Sequence, residues 1–383
     1  MTPGARAQAA IEVLDRILAG EAAEKALTAW GRASRYAGSG DRAAVRDLVY
    51  DALRCRRSFA ALGGGETGRG LVLGRAWALG EDVALLFQGA PHSPLPPTPA
   101  ETGRPPESWE RFDIPDWLGM AFQQSLGDAA PSVLQALQTR APVFLRVNLA
   151  RLTRDDAVPR LADEGITAEP HPLAASALKV TGGARRIQTS PSYLDGLVEL
   201  QDAASQAVVE ALPLHQGARV LDLCAGGGGK TLAMAARMPL VLYAHDASPA
   251  RMKDLVPRAA RARALITLTD RPEADGPYDL VLTDVPCSGS GSWRRDPEGK
   301  WRLTPARLDD LCRLQAVILD RAAAMVGPKG ALAYVTCSVL RAENGDQIDA
   351  FLARHPQWRL DKKLQLTPLD EGDGFFLAVM RMH

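Results

Sequence analysis

The sequence predicts an α/β protein that ends in a doubly wound parallel sheet. From residue 201 onward, apolar runs of strand length alternate with helical patterns, which is typical of a parallel sheet with crossover helices. Residues 1–60 instead show helical spacing of apolar residues, and near residue 141 the pattern changes to short strands and a short helix. We therefore expect an all-α domain over 1–130, a small α+β subdomain over 131–200 and the doubly wound domain over 201–383.

Helical periodicity defines the first domain. Apolar residues lie on one helical face in two segments, 11–18 and 45–53, and Asp41 is predicted to be the N-cap of the second. Further helices are predicted at 75–88 and 116–138, and the proline-rich stretch between them predicts an irregular loop.

The remaining elements follow in order along the chain. The middle subdomain predicts a strand at 143–148, a helix at 155–164 and further strands within 177–200. In the last domain, the predicted strands lie at 219–223, 240–244, 264–268, 278–283, 331–335 and 375–380. The predicted helices lie at 202–212, 230–237, from 249 onward, from 305 to about 326 and at 343–354. Ser248 and Thr304 each precede a proline, a pattern that favours a helix start with proline as its first residue.

Composition excludes several classes of protein. The chain has 383 residues and a mass of 41.0 kDa, with 45 basic and 45 acidic side chains, which excludes a uniformly basic nucleic-acid coat. No uncharged apolar run approaches the ~18 residues that a membrane span needs. The five cysteines are scattered without a CxxC pair, which indicates neither a disulfide framework nor a zinc site. We expect a cytoplasmic, monomeric protein that holds no metal ion.

A loop of four glycines runs from a buried strand into a helix between residues 220 and 231. A Walker A motif would need glycine where Cys224 stands, and a GxGxxG motif starting at Gly226 would need glycine where Thr231 stands. Asp246 lies 20 residues after Gly226, at the end of the next predicted strand, where an acid accepts hydrogen bonds from ribose hydroxyls. The pattern indicates a nucleoside cofactor and does not by itself separate NAD from S-adenosylmethionine; a tight turn followed by an ordinary loop aspartate is the structural alternative.

Two cysteines follow the ends of predicted strands. Cys287 comes shortly after the strand that ends at Asp284. Cys337 lies at the end of the segment that follows the apolar run of the next strand, 331–335. In a parallel sheet both thiols would lie at the edge that carries the glycine loop. Either cysteine alone would be read as core packing, but two at one edge favour chemistry. A thiol with a pKa of about 8.5 needs a positive or hydrogen-bonding neighbour to react at pH 7, and Lys230 or backbone N–H groups would provide one.

The motifs around these residues resemble those of the Sun-type RNA (cytosine-5)-methyltransferases. The resemblance is carried, in the last domain, by residues 201–205, 221–231, 284–291, 294–297, 300–301, 336–344 and 373–376. Residues 146–148 resemble the start of the middle subdomain of the family. Residues 41–42, 48–50 and 53–54 resemble the NusB-like RNA-binding domain of its bacterial 16S ribosomal RNA branch. One departure is that Gly226 and Gly227 stand where the family usually has alanine and proline.

The resemblance implies a methyltransferase that forms a covalent adduct with cytosine. A thiolate that adds to C6 turns C5 into an enamine-like carbon that accepts a methyl group. The family pattern assigns this attack to Cys337, assigns release to Cys287, and places Asp284 and Lys230 at the reacting centre. It also implies S-adenosyl-L-methionine as cofactor. The implied contacts are Cys224, Ala225, Gly226, Gly227, Gly228, Gly229, Lys230, Asp246, Asp270 and Asp284.

RNA is the expected partner, with 16S ribosomal RNA as the substrate that the resemblance implies. Two runs of basic residues, 251–263 and 294–302, could contact phosphates, and the second is interleaved with Trp293 and Trp301. Two other functions remain open. A DNA cytosine-5 methyltransferase would use Cys287 as its nucleophile, and a non-catalytic ribosome-assembly factor would bind RNA through the same surface. No membrane partner is expected.

Overall fold

The computed structural model describes residues 1–383, which divide into two compact units. The first, here called the helical unit, comprises residues 1–140 together with 293–302. The second, here called the sheet unit, comprises residues 141–292 and 303–383. Residues 293–302, here called the inserted segment, thus leave the sheet unit directly after the Cys287 loop and join the helical unit.

Residues 1–140 form only α-helices and short 3-10 turns. The helices are α1 (Pro3–Leu18), α2 (Ala23–Ala33), α3 (Ser39–Arg54), α4 (Arg56–Leu62), α5 (Gly68–Leu79), α6 (Val83–Leu86), α7 (Asp116–Leu126) and α8 (Ala130–Leu137). Their core is built from alanine, valine and leucine side chains that the periodicity predicted, among them Leu14, Val45 and Leu53. The prediction of one helix at 116–138 was wrong, because Gly127 adopts a positive φ of 55° and separates α7 from α8.

Asp41 is not the N-cap that the sequence predicts. Helix α3 begins two residues earlier, with Gly38 as its N-cap, so that Asp41 occupies the third helical position. From there its Oδ2 accepts a hydrogen bond from the Gly38 backbone N at 3.3 Å. The carboxylate therefore still satisfies a backbone donor at the helix start, but it does so from inside the first turn.

A four-stranded antiparallel sheet begins the sheet unit. Its strands are β1 (Val143–Val147), β2 (Thr167–Pro170), β3 (Ala177–Gly182) and β4 (Val198–Leu200), in the order β2-β3-β1-β4. Helices α9 (Arg154–Asp163) and α10 (Pro191–Leu194) lie between these strands in sequence. Buried side chains of β1 and α9, such as Leu145 and Leu161, share one apolar cluster.

A seven-stranded sheet forms the rest of the sheet unit. Its strands are β5 (Arg219–Asp222), β6 (Val241–Ala244), β7 (Ile266–Leu268), β8 (Tyr278–Asp284), β9 (Val326–Thr336), β10 (Trp358–Leu366) and β11 (Phe375–Met382). The order is β10-β11-β9-β8-β5-β6-β7, and the five strands from β9 to β7 run parallel. The associated helices are α11 (Ala203–Glu210), α12 (Gly229–Ala235), α13 (Leu255–Ala262), α15 (Pro305–Ala323) and α16 (Gly345–Arg354), with α14 (Pro297–Arg302) in the inserted segment.

Both faces of this sheet are buried, as a doubly wound fold requires. Val220 and Leu280 belong to one apolar cluster, whereas their chain neighbours Leu221 and Val281 belong to another. Since successive strand residues point to opposite faces, the two clusters lie on opposite sides of the sheet. None of the helices in the structure combines the length and apolar character needed to cross a membrane.

Two features of this sheet differ from the predictions. Strand β11 runs antiparallel to both of its neighbours, β9 and β10. Strand β10 was not predicted as a strand. Strand β10 lies at the edge of the sheet and exposes most of its residues, including Lys362 and Lys363. An edge strand with charged side chains lacks the apolar alternation on which sequence-based prediction depends, and such charges protect the edge from pairing with another chain.

Candidate active site

Four parallel strands bring the predicted functional residues to one edge of the sheet. The carboxyl ends of β5, β6, β8 and β9 lead respectively into the glycine loop, Asp246, the Cys287 loop and Cys337. Because these strands are neighbours and run parallel, their following loops meet in the crevice where α/β proteins bind ligands.

The glycine loop has the backbone shape that only glycine allows without strain. Gly226 and Gly228 have φ angles of 49° and 78°, and Gly228 caps the start of α12. A Cβ atom at Gly228 would lie 2.1 Å from Leu255 Cδ1, so a side chain there would collide with α13. The loop is tied to the next strand end by a hydrogen bond of 3.0 Å from Gly226 N to Asp246 Oδ2.

A cleft of about 330 Å³ opens beside this loop. It is lined by Leu200, Gln201, Ser205, Asp222, Cys224, Ala225, Gly226, Gly227, Gly229, Lys230, Arg251, Arg258 and Asp284. Arg146 NH1 donates to Gln201 Oε1 at 2.5 Å and to the Gly229 carbonyl at 2.8 Å, which connects β1 to the cleft wall. The cleft thus gathers most of the residues that the sequence predicts as cofactor contacts.

Asp246 and Asp270 have different surroundings. Asp246 is 3% exposed, accepts from Ser248 N at 2.9 Å, and its Oδ2 lies 3.3 Å from an Arg251 nitrogen. Neither aspartate lines the cleft itself, but Asp246 is bonded to Gly226 of its wall. The Asp270 side chain is 96% exposed. The chain turns there because the preceding residue, Thr269, is buried and donates a hydrogen bond to Asp275.

Asp222 is a buried acid at the floor of the cleft that the sequence analysis did not single out. Its Oδ2 accepts a hydrogen bond of 2.6 Å from Thr231 Oγ1, whereas its Oδ1 has no hydrogen-bond partner. Burial raises the pKa of Asp222 to about 7. Its position as the last residue of a buried strand, directly before the glycine loop, was the available sequence signal.

Lys230 and Asp284 form an ion pair beside the cleft. Lys230 Nζ donates to Asp284 Oδ2 at 2.6 Å and lies 5.0 Å from the centre of the Phe375 ring. Burial alone would lower the pKa of Lys230, but the charge and the hydrogen bond of Asp284 outweigh burial and raise this pKa. Lys230 is therefore a permanent cation at the reacting edge.

The two strand-end cysteines lie against each other. The Sγ atoms of Cys287 and Cys337 are 3.4 Å apart, within the range of a thiol hydrogen bond. A hydrogen bond from Cys287 lowers the pKa of Cys337, and Lys230 favours the same thiolate against the opposing effects of burial and Asp284. The same contact raises the pKa of Cys287, with burial and Glu343 adding to the increase. Either sulfur could be the donor in this contact, and the two pKa directions favour the thiolate on Cys337 and the proton on Cys287.

The other cysteines lack this environment. Burial raises the pKa of Cys224 and of Cys55 to about 12 and that of Cys312 to about 11. These three thiols are unreactive at neutral pH. Cys224 can still line the cofactor cleft through its backbone and its sulfur, but not as a nucleophile.

The basic run at 294–302 forms only part of the exposed surface that was predicted. Trp293, Arg294 and Lys300 are 2%, 4% and 3% exposed, and they belong to the helical unit. Trp293 stacks on Phe122 with ring centres 5.8 Å apart. The alternation of tryptophan and basic residues thus reflects in part a segment packed into a helical core. Arg295 and Arg302 are exposed, and their contacts with phosphates stay a prediction.

The basic run at 251–263 is partly engaged within the sheet unit. Arg258 and Arg261 both pair with Glu199, at 3.3 and 2.7 Å, and Arg258 also donates to the Gly227 carbonyl. Lys253 and Arg263 are exposed. This run therefore supports the cleft wall with some of its cations and offers the others to the surface.

Comparisons with known proteins agree with this arrangement. Residues 209–381 match the family model described as 16S rRNA methyltransferase RsmB/F, and residues 114–186 match the ferredoxin-like domain of RsmF/B-like methyltransferases. The ribosomal RNA small subunit methyltransferase B of Salmonella arizonae is 34% identical over 287 residues, which cover 70% of this chain and 66% of that protein. The alignment thus spans slightly less than two thirds of this relative.

Solved structures share the fold. The crystal structure of the protein PH0851 has a TM-score of 0.77 and 22% identity, covering 100% of this chain and 99% of that chain. A methyltransferase homologue from Pyrococcus horikoshii has a TM-score of 0.64 and 25% identity, covering 72% of this chain and 97% of its own. The solved structures show the shared fold, and the family models together with the curated relative show that the chain belongs to the RsmB/F family, the Sun-type family that its motifs resemble.

Proposed function

We propose that this protein transfers a methyl group from S-adenosylmethionine to C5 of a cytosine in 16S ribosomal RNA. The observation that carries the proposal is the pair of half-buried thiols, Cys337 and Cys287, in contact beside the Lys230–Asp284 ion pair. Such a pair provides one thiolate for addition to C6 and one thiol for its release. The family to which the chain belongs and its curated relative support ribosomal RNA as the substrate.

The cleft fits S-adenosylmethionine in size and charge. Its volume of about 330 Å³ lies within the range of about 300 to 1,000 Å³ of small-molecule sites. The unpaired Oδ1 of Asp222 is a buried acceptor that a cationic ligand would satisfy, and the cofactor carries positive charge at both its sulfonium and its ammonium. We propose that residues 224–230 hold the methionine portion and that Asp246 accepts from the ribose hydroxyls, sharing its carboxylate with Arg251.

The proposed chemistry begins at Cys337. Its thiolate adds to C6 of the flipped-out cytosine, and N3 takes up, through Asp284, the proton that the Lys230–Asp284 pair shares, which neutralises the charge developed on the ring. N3 returns this proton to the pair when the adduct breaks down. S-adenosylmethionine supplies the electrophilic methyl group, which C5 of the activated ring accepts. A base then takes the C5 proton, the electron pair re-forms the C5–C6 double bond, and the C6–S bond breaks. The Cys287 thiol stabilises the leaving Cys337 thiolate by its hydrogen bond.

The helical unit is proposed to bind RNA. Residues 41–54 resemble the NusB-like domain of the bacterial branch. Three arginines of this unit are exposed: Arg32 lies on α2, Arg35 follows the end of α2, and Arg46 lies on α3. Cations of this kind neutralise phosphates. The proposed domain of residues 1–130 would thus hold the substrate and leave the chemistry to residues 201–383.

Methyl transfer assays test the proposal. Full-length protein, tritiated S-adenosylmethionine and unmodified 16S ribosomal RNA should yield labelled RNA, and bisulfite sequencing of cells with and without the protein should reveal a protected cytosine. Label in DNA but not in RNA would indicate a DNA methyltransferase with Cys287 as nucleophile. A folded protein that binds RNA but does not bind S-adenosylhomocysteine, and that transfers no labelled methyl group to RNA, would indicate an assembly factor.

A further inference from the structure

Glu343 is a fully buried carboxylate that joins the two cysteine loops. Its side chain is 0% exposed, and its oxygens accept four hydrogen bonds. Ser288 donates twice, from its backbone N at 2.7 Å and from its Oγ at 2.5 Å. Ser338 Oγ donates at 2.5 Å, and Gln315 Nε2 of α15 donates at 3.1 Å. The donors are two serine hydroxyls, one backbone N–H and one glutamine amide, and together they occupy both oxygens of the carboxyl group.

These donors lie next to the reactive thiols. Ser288 directly follows Cys287, and Ser338 directly follows Cys337. The two loops are connected a second time by Ser290, whose Oγ lies 2.8 Å from Ser338 Oγ. One carboxylate therefore fixes the backbone positions from which both sulfur atoms project, and it sets the short distance between them.

The charge of Glu343 acts unequally on the two thiols. It raises the pKa of Cys287, and it acts in the same direction on the neighbouring Cys312 and Tyr334. Cys337 instead is influenced by Lys230 and Asp284, which face it from α12 and β8. Glu343 therefore opposes ionisation of Cys287, whereas Lys230 favours ionisation of Cys337 against the larger opposing effect of Asp284.

We propose that Glu343 is a positioning residue that holds the Cys287 and Cys337 loops together and keeps the shared proton on Cys287. Glu343 thereby determines which of the two cysteines is the nucleophile. This inference rests on the proposed function for its consequence in methylation, but the division of roles between the thiols is a property of the protein alone and is measurable without RNA or methyl donor.

The test is the rate of alkylation of each cysteine by iodoacetamide, followed by mass spectrometry of full-length protein between about pH 6 and pH 9. In the wild type, Cys337 should react at least about tenfold faster than Cys287. Glu343→Gln keeps the shape but removes the charge, so we expect the preference to fall at least fivefold. Glu343→Asp, which keeps the charge, should retain more of the preference. Asp346→Asn, which neutralises an exposed acid in the first turn of the following helix α16, should leave it unchanged.

Three outcomes would overturn the inference. One is faster alkylation of Cys287 than of Cys337 in the wild type, a result that needs no variant. The others are an unchanged preference in folded Glu343→Gln, and equal losses in Glu343→Asp and Glu343→Gln. If Glu343→Gln does not fold, the wild-type rates and the Glu343→Asp variant decide the question. Absent methylation with the alkylation preference intact would count against the proposed function and not against the role of Glu343.

Discussion

Cys337 and Cys287 differ in their neighbours rather than in their exposure. The first lies near Lys230 and the second near Glu343, although their sulfur atoms are 3.4 Å apart. Because addition and elimination are separate steps on one C6–S bond, the two cysteines should fail differently when each is removed.

We predict that Cys287→Ala accumulates a covalent protein–RNA adduct, whereas Cys337→Ala forms none. In Cys287→Ala the attack and the methyl transfer proceed, but the leaving thiolate loses its hydrogen-bond donor. The adduct would appear as a denaturant-stable, nuclease-sensitive band shift on a gel, and the double variant should lose it. Cys312→Ala, which removes a thiol outside the site, should behave as wild type. A band with Cys337→Ala and none with Cys287→Ala would reverse the assignment.

We predict that Asp222 makes the stability of the protein depend on pH. The pKa of Asp222 in the folded protein, about 7, lies above its usual value. Its stabilising contribution to the free energy of unfolding is therefore fully present below about pH 4 and is lost as pH rises through 7. Asp222→Asn removes this titration and keeps an acceptor for Thr231. The variant should therefore gain free energy of unfolding over wild type as pH rises from about 5 to 8.5, by roughly 2 to 3 kcal/mol. Urea unfolding without cofactor measures this, and a pH-independent difference would refute it.

At the level of single residues, the sequence predicted the functional side chains that follow strand ends and missed the acids whose roles depend on burial. Strand ends alone placed Cys287, Cys337 and Asp246 at one edge of the sheet. The roles of Asp222 and Glu343 depend on exclusion from water and on hydrogen bonds between distant loops, which no local pattern encodes. Asp270 also follows a strand end, but its side chain is 96% exposed, and its contact with the cofactor stays a prediction.

Among the elements, the inserted segment departs most from its sequence-based interpretation. Its contacts are hydrogen bonds to the end of α3: Lys300 Nζ donates to the Arg54 carbonyl at 3.0 Å, Trp301 Nε1 to the Leu53 carbonyl at 2.7 Å, and Arg54 Nε to the Arg294 carbonyl at 3.0 Å. Burial lowers the pKa of Lys300 to about 8, so this lysine is not an ordinary surface cation. An alternation of basic and aromatic residues is compatible with an exposed RNA-binding surface and with a buried segment. Only the burial of the side chains in the structure distinguishes the two.

We predict that Trp293→Ala destabilises the protein, because Trp293 is 2% exposed and stacks on Phe122. Loss of a buried tryptophan costs about 3 to 5 kcal/mol of free energy of unfolding. Trp77→Ala, at a position that is 40% exposed in the same unit, should cost much less. Chemical unfolding of both variants gives the comparison. A Trp293→Ala variant with wild-type stability and weakened RNA binding would restore the RNA-surface interpretation.

The parallel strands were well predicted because each is a short, buried apolar run. Strands β5 and β8 are almost completely buried, which is the pattern expected when helices cover both faces of a sheet. Strand β10 was missed because its nine residues face mainly solvent. Prediction from sequence therefore succeeded where burial was uniform and failed at the edge of the sheet.

At the scale of the whole molecule, the division of labour between RNA binding and chemistry is testable only in the full chain. A chain shortened to begin near residue 141 would leave Trp293 and Lys300 without the helices into which they pack. Its failure to bind RNA would not distinguish a lost RNA contact from a disturbed loop beside Cys287. Substitution of exposed basic residues in the full-length chain is the appropriate test instead.

We predict that Arg32→Gln, Arg35→Gln and Arg46→Gln together weaken binding of 16S ribosomal RNA but leave the affinity for S-adenosylhomocysteine unchanged. If each arginine neutralises one phosphate of a single-stranded region, the slope of log affinity against log salt should become shallower by about two. Filter binding across a salt series measures both quantities. The matched variant carries Arg307→Gln, Arg313→Gln and Arg321→Gln on α15, and an equal change in that variant would argue against a special role for the helical unit.

The position of the inserted segment also sets an order of events during synthesis. Residues 1–140 leave the ribosome before 293–302 have been translated, and at about 5 to 20 residues per second the delay is roughly 8 to 30 seconds. Throughout this interval Phe122 lacks the tryptophan that covers it, and the carbonyls at the end of α3 lack their donors. The helical unit, although most of it is made first, therefore completes its core only after residues 293–302 have been translated.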